Sequence, residues 1–222
     1  MFGENPIRPP VHGDGASLEV KHIFPTLQGE GPFVGQPSVF IRLAGCNLAC
    51  DFCDTQFEDG ETMPLAEILH AVAVNSHDEA GIRLRDLVVI TGGEPLRQPI
   101  EALCDALLNA GYRVQIETNG TLFRALDVRV NIVCSPKNTG TGYHPIRADL
   151  AAHISAYKFI LSTRHPDYSV LPEISLNAPV YVQPMDEYDA TINAANLAYA
   201  AKIAQTKGYR LSIQLHKLLG IE

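Results

Sequence analysis

Three cysteines within eight residues carry the strongest chemical signal in this chain: Cys46, Cys50 and Cys53, in the run GCNLACDFCDT over 45–55. Their spacing is C-x3-C-x2-C, with no fourth cysteine close by. Three thiolates on one short loop can ligate three irons of a cubic iron–sulfur cluster, leaving the fourth iron open to a ligand that is not protein. A structural zinc site ordinarily closes its tetrahedron with a fourth Cys or His at short spacing. The nearest downstream candidate, His70, falls inside a helical pattern. A redox disulfide would use two of the cysteines and give the third no role. The spacing favours the cluster and leaves zinc and incidental thiols as the alternatives.

What must position such a loop can be read from the rest of the chain. At 222 residues, 46% of them hydrophobic, the sequence fits one sizeable domain. No run is long enough for a membrane span, and the Pro-rich start lacks the apolar core of a signal peptide. Five cysteines, an odd number with three clustered, argue against a secreted disulfide framework and for a reducing cytoplasm. The net charge of −8 opposes nonspecific binding to nucleic acid or anionic membranes. A small anionic substrate stays open, because one buried Arg or Lys suffices for a carboxylate.

Residues 1–16, with Pro6, Pro9, Pro10, Gly13 and Gly15, read as a loose arm ahead of a single domain over 17–222. Strands are expected over 18–24, 38–44, 87–91, 113–117, 130–134, 156–161, 179–183 and 209–215, and helices over 64–75, 99–110 and 191–207. The 87–91 run LVVIT is continuously apolar, as a strand covered on both faces requires. Alternating strands and helices imply an α/β fold with a parallel sheet. The chain is short for a closed eight-unit barrel of about 250 residues. The expectation is therefore an open, partial β/α barrel of about six units with some outer helices reduced.

The polar clusters fall almost one-sidedly, just after the expected strands. They comprise the cysteines, Thr91-Gly92-Gly93-Glu94-Pro95, Glu117-Thr118-Asn119-Gly120, Ser135-Pro136-Lys137, Gln183-Pro184-Met185-Asp186 and Gln214-Leu215-His216-Lys217. In parallel barrels the carboxyl ends of the strands share one face, which holds the active site. Bare backbone at Gly92-Gly93 can approach a ligand closely. Cys104 and Cys134, within apolar patterns, read as core thiols. Arg42 lies on the opposite face of its strand from Val39, Ile41 and Leu43, as a residue pointing into a polar interior would.

C-x3-C-x2-C, with Phe52 before the last cysteine and a GGEP-type strand end, resembles the radical S-adenosylmethionine (SAM) superfamily. The motifs LQGEG over 27–31, Arg42, CDT over 53–55, ETNG over 117–120, SPK over 135–137, QPMD over 183–186 and a terminal His-Lys narrow the likeness. Together they resemble the 7-carboxy-7-deazaguanine synthase family of the queuosine pathway of tRNA modification, from about residue 27 onward. The resemblance implies a [4Fe-4S] cluster on Cys46, Cys50 and Cys53, with SAM on the open iron. Phe52, Gly93, Glu94, Glu117 and Asn119 would bind the cofactor, with Ser135, Pro136, Lys137 and the Gln183, Pro184, Met185, Asp186 segment. Thr55 would ligate Mg²⁺. Leu27, Gln28, Gly29, Arg42, Thr91, His216 and Glu222 would hold a 6-carboxy-5,6,7,8-tetrahydropterin. It further implies a lyase that expels ammonia, an electron donor such as flavodoxin or ferredoxin, and a homodimer. Two rival readings share the cysteines: an activating enzyme that installs a glycyl radical on a partner protein, and a zinc-stabilised binding module.

Overall fold

The computed structural model describes residues 5–172 and 177–221. The chain opens with β1 (Ser17–Leu27), which pairs antiparallel with β2 (Pro37–Leu43) on one side and with the short β3 (Glu61–Pro64) on the other. Then follow α1 (Leu65–Ser76), β4 (Leu87–Gly92), α2 (Glu101–Asn109), β5 (Arg113–Thr118), β6 (Asn131–Cys134), the four-residue α3 (Ala148–Ala151) and β7 (Ile154–Leu161). The order ends with β8 (Val180–Pro184), α4 (Ala190–Lys207), β9 (Arg210–Leu211) and α5 (Leu215–Leu219). Among the described residues these strands form one sheet in the order β3-β1-β2-β4-β5-β6-β7-β8-β9, parallel from β2 through β9. It is the open, mostly parallel sheet that the sequence implies. Long outer helices are α1 in the β2–β4 connection, α2 after β4 and α4 after β8. The β5–β6 connection has none, β6–β7 has only α3, and β7–β8 has one 3₁₀ turn at Pro166–Tyr168 among its described residues.

Strand alternation sorts the side chains. Val39, Ile41 and Leu43 of β2, Val88 and Ile90 of β4, and Val114 and Ile116 of β5 join one buried core with Ile68 and Val72 of α1 and Leu103, Cys104 and Leu107 of α2. Each such aliphatic side chain contributes about 1.5–3 kcal/mol by leaving water. The opposite face carries Phe40 and Arg42 of β2, Gln115 and Glu117 of β5, Lys158 of β7 and Gln183 of β8, so the hollow of the sheet is polar. α4 is held by both ends: the Asp189 carboxylate accepts from the Thr191 and Ile192 amides, and Gly208 closes it in the left-handed conformation.

Two expectations are corrected. The 209–215 segment alternates like a strand, yet only Arg210–Leu211 pairs with β8, and the chain then turns into α5. There the Ser212 hydroxyl accepts from the Gly31 amide at 3.1 Å and the Leu215 amide donates to the Gly29 carbonyl at 3.0 Å. These bonds tie the end of the sheet to the β1–β2 connection and win over further strand pairing. Nor is the arm loose over its described part. Ile7 bridges Cys46 in parallel fashion, the Arg8 amide donates to the Cys46 carbonyl at 2.7 Å, and the Val11 amide donates to the Arg97 carbonyl at 2.7 Å.

Candidate active site

The cysteine loop begins where the β2–β4 ladder runs past its strands. The Gly93 amide donates to the Leu43 carbonyl at 3.2 Å, and the Glu94 amide to the Gly45 carbonyl at 3.0 Å. A Cβ at Gly92, whose φ is +125°, would overlap Leu43 backbone, and one at Gly93 would overlap Gly45 backbone. Only glycine lets these two strand ends lie so close.

Cys46 is buried and Cys50 and Cys53 half-buried, all as free thiols facing one cavity of about 420 Å³. Burial pushes the Cys46 thiol up to about 12 and raises Cys50 and Cys53, while the Lys137 ammonium opposes the rise at the latter two. Binding a metal centre here therefore releases protons. His70, the one candidate for a fourth zinc ligand, is exposed on α1 and does not line the cavity. Among the described residues no group of three or more His, Cys, Asp or Glu is arranged to hold a single metal ion. The donor set at the cavity, three thiols on one loop, fits three corners of a cubic cluster.

The other strand ends converge on the same cavity. Phe52, Thr55, Thr91, Gly93, Glu117, Asn119, Ser135 and Lys137 line it, as do Gln183, Pro184, Met185 and Asp186, and on the far side Leu27, Gln28, Arg42 and His216. Three expected residues stand behind the lining: Gly29, Pro136 and Glu94. Glu94 is fully buried and its carboxylate accepts from the Leu96 amide (3.0 Å), the Thr118 hydroxyl (2.7 Å) and the Asn119 amide (2.7 Å). Burial raises its pKa against those bonds. It locks the β4 and β5 ends together, and Asn119 passes the constraint on by donating to the Asn47 side chain in the cysteine loop at 3.0 Å. Pro136 is buried, and Gly29 packs so tightly on His216 that a Cβ would overlap its ring. Glu222 lies outside the described residues.

Several lining residues were not expected. Lys158 sits in the hollow, ion-paired to Glu30 and, at 2.8 Å, to Glu117. The Gln28 and Gln115 side chains donate to the Glu117 carboxylate at 3.4 and 2.6 Å. Burial would raise Glu30, but Lys158 and the Gln214 amide together hold it below the usual carboxylate range. A lysine inside the apolar run ISAYKFIL was the available signal, since a charge at a buried strand position must face something polar. On α5, Lys217 bridges Asp54 of the cysteine loop (2.8 Å) and Asp186 after β8 (2.9 Å). Against burial, Lys217 keeps Asp54 low. Burial lowers the His216 pKa, with Glu30 opposing, so the imidazole is neutral near pH 7.

An open parallel sheet whose strand ends gather three cysteines and a glycine ladder defines a radical SAM protein, and residues 40–132 match the model of the Radical SAM superfamily. This class implies a [4Fe-4S] cluster and SAM. The 7-carboxy-7-deazaguanine synthase of Rickettsia prowazekii (strain Madrid E) is 54% identical over all of this chain and 96% of its own length. That of Rhodospirillum rubrum is 45% identical over the whole of both chains. A crystal structure of QueE from Escherichia coli shares the fold, with a TM-score of 0.72 at 24% identity over 90% of this chain and 95% of the other. The chain belongs to the 7-carboxy-7-deazaguanine synthase family. The readings as a zinc-stabilised module and as a glycyl-radical activator give way to this assignment.

Proposed function

We propose that the chain converts 6-carboxy-5,6,7,8-tetrahydropterin to 7-carboxy-7-deazaguanine with loss of ammonia, serving queuosine formation. The observation that carries the reading is the union, in one cavity, of three thiols at one wall and a polar, carboxylate-bearing hollow at the other. A [4Fe-4S] cluster and SAM, when bound, supply the one-electron cleavage that removes hydrogen from C6 of the substrate.

The chain's own residues then bind, orient and exclude. Cys46, Cys50 and Cys53 would hold the cluster. Phe52, Gly93, Glu117, Asn119, Ser135, Lys137 and the Gln183–Asp186 segment would face SAM, with Glu94 and Pro136 acting from behind. The Lys137 ammonium, bonded to the Ser135 carbonyl and hydroxyl at 2.9 and 2.6 Å, is the natural partner for a carboxylate. Phe24, Phe40 and Ile160 supply apolar contact for a flat ring, and Arg42 a guanidinium for its carboxylate. Leu27, Gln28, Gly29, Thr91 and His216 would read the ring's polar edge, and Glu222 would lie among them. Thr55, with its hydroxyl 3.2 Å from the Asp54 carboxylate, would be the protein ligand of Mg²⁺, the ion's other positions taken by water and substrate.

Flavodoxin or ferredoxin would supply electrons in the cytoplasm. The outer face of α4, rich in alanine with Leu197 exposed, would serve a homodimer. No described helix is long and apolar enough to cross a membrane.

The test is product mass spectrometry on anaerobically reconstituted protein given the carboxytetrahydropterin, SAM and a reductant, with and without Mg²⁺. Appearance of the deazaguanine acid, faster with Mg²⁺, is expected. Turnover of SAM to 5′-deoxyadenosine with no pterin consumed would overturn the substrate assignment.

A further inference from the structure

The cysteine loop has no regular structure between Gly45 and Gly60, yet both its shoulders are tied to one element that the chemistry above does not use. At the first shoulder, Ile7 bridges Cys46 and the Arg8 amide donates to the Cys46 carbonyl. At the second, the Asn5 side-chain amide donates to the Thr55 carbonyl at 3.3 Å, and the Cys53 thiol donates to the same carbonyl at 3.6 Å. Asn5 is half-buried and lines the active-site cavity.

The arm carrying these groups is itself fixed. Arg97, only 4% exposed, donates to the Pro9 carbonyl at 3.1 Å and to the Ala44 carbonyl, two residues before Cys46, at 3.2 Å. Arg124 holds the Val11 carbonyl. Residues 6–14 are otherwise exposed, so polar ties rather than burial hold the arm in place. Pro6, Pro9 and Pro10 limit its freedom before it docks, which lowers the entropy lost on docking.

We propose that the N-terminal arm is a brace for the cysteine loop, and that Asn5 is a positioning residue that holds the Thr55 carbonyl, and with it the backbone beside the Cys53 sulfur, in place. Hydrogen bonds to the ligating sulfurs and solvent exposure are among the levers that set the potential of an iron–sulfur centre. Loosening the arm at Cys53 admits water to that half-buried sulfur, which stabilises the more negative, reduced state. Half-burying that sulfur beneath the arm also slows the approach of chelators.

The inference rests on the cluster reading, and its test separates the two. Wild-type, Asn5→Ala and Arg8→Ala full-length chains are reconstituted anaerobically. Iron and sulfide content, midpoint potential by redox titration, rate of iron loss to an added chelator and amide exchange over 46–57 are then measured. Arg8→Ala removes the exposed pair with Glu58 but keeps the backbone bond to Cys46. Asn5→Ala should load normally, titrate at a less negative potential, lose iron several-fold faster and exchange faster over 53–57, with an unchanged melting temperature. Arg8→Ala should match wild type throughout. An Asn5→Ala protein with wild-type potential and iron loss overturns the inference. So does an equal change in Arg8→Ala, which would assign the effect to the exposed Glu58 pair rather than to Asn5. A wild-type chain that takes up no iron and sulfide overturns the cluster reading as well.

Discussion

Replacing Lys158 by Met tests the electrostatics of the hollow. Lys158 is buried, with 8% of its side chain exposed, between Glu30 and Glu117, whose side chains are 15% and 14% exposed. Removing one member of a buried ion pair costs roughly 3–5 kcal/mol, because it strands a charge. Here two carboxylates are left facing each other. The side-chain amides of Gln28 and Gln115 still serve Glu117, and that of Gln214 still serves Glu30, so the low end applies, about 3 kcal/mol. For a chain of this length that lowers the melting temperature by about 6–12 °C. The effect depends on pH. In the wild type Glu30 is held low, so its stabilisation is present above the unfolded carboxylate value near ~4.3 and is lost as pH falls through the folded value. In the variant only burial acts strongly on Glu30 and raises it, so folding is penalised at neutral pH and relieved as pH falls. Urea midpoints across pH 5–8 should show the gap to wild type widest at the alkaline end. Adding Glu30→Gln and Glu117→Gln should recover most of the loss. A gap below about 1 kcal/mol at pH 7.5, or one indifferent to pH, would refute the reasoning, because a stranded buried charge costs more than that.

Cys50→Ala should abolish the brown absorption near ~400 nm of the reconstituted protein while its circular dichroism stays that of wild type, since the loop lies outside the apolar core. Gly29→Ala places a methyl group against the His216 ring and should displace α5. Iron content should hold while kcat/KM for the pterin falls about 10- to 100-fold, and unchanged kinetics would remove His216 from the substrate site.

The positions of most strands were legible because a continuous apolar run bounded by turn residues has few other uses, as at LVVIT over 87–91. The convergence of strand-end clusters was legible too, since parallel strands put their carboxyl ends on one face. Less legible was whatever depends on distant partners. Glu30 and Lys158 are 128 positions apart, and Gln214 reaches Glu30 across 184, so no local pattern pairs them. β3, four residues at a sheet edge with exposed Glu61 and Thr62, has too short an alternation to stand out. RLSIQL over 210–215 shows the reverse failure: its alternation is real, but bonds to Gly29 and Gly31 redirect the backbone after two residues. Glu94 illustrates a third kind. Its place at a strand end was clear, but its job of knitting three loops together follows only from where Asn119 and Thr118 fall.

The zipper between the β2 and β4 termini makes the cysteine loop mechanically lopsided. Its upstream root, Leu43 to Gly45, is fused to the glycine pair and cannot shift without tearing sheet bonds. Its downstream root is held by a single backbone bond to the upstream one, from the Gly45 amide to the Phe57 carbonyl at 3.1 Å, and by side chains such as Lys217 and Asn5. Any rearrangement that accompanies loading must therefore pivot about Cys46 and be absorbed between Leu48 and Phe57, so that the first sulfur serves as a fixed datum to which the other two are fitted.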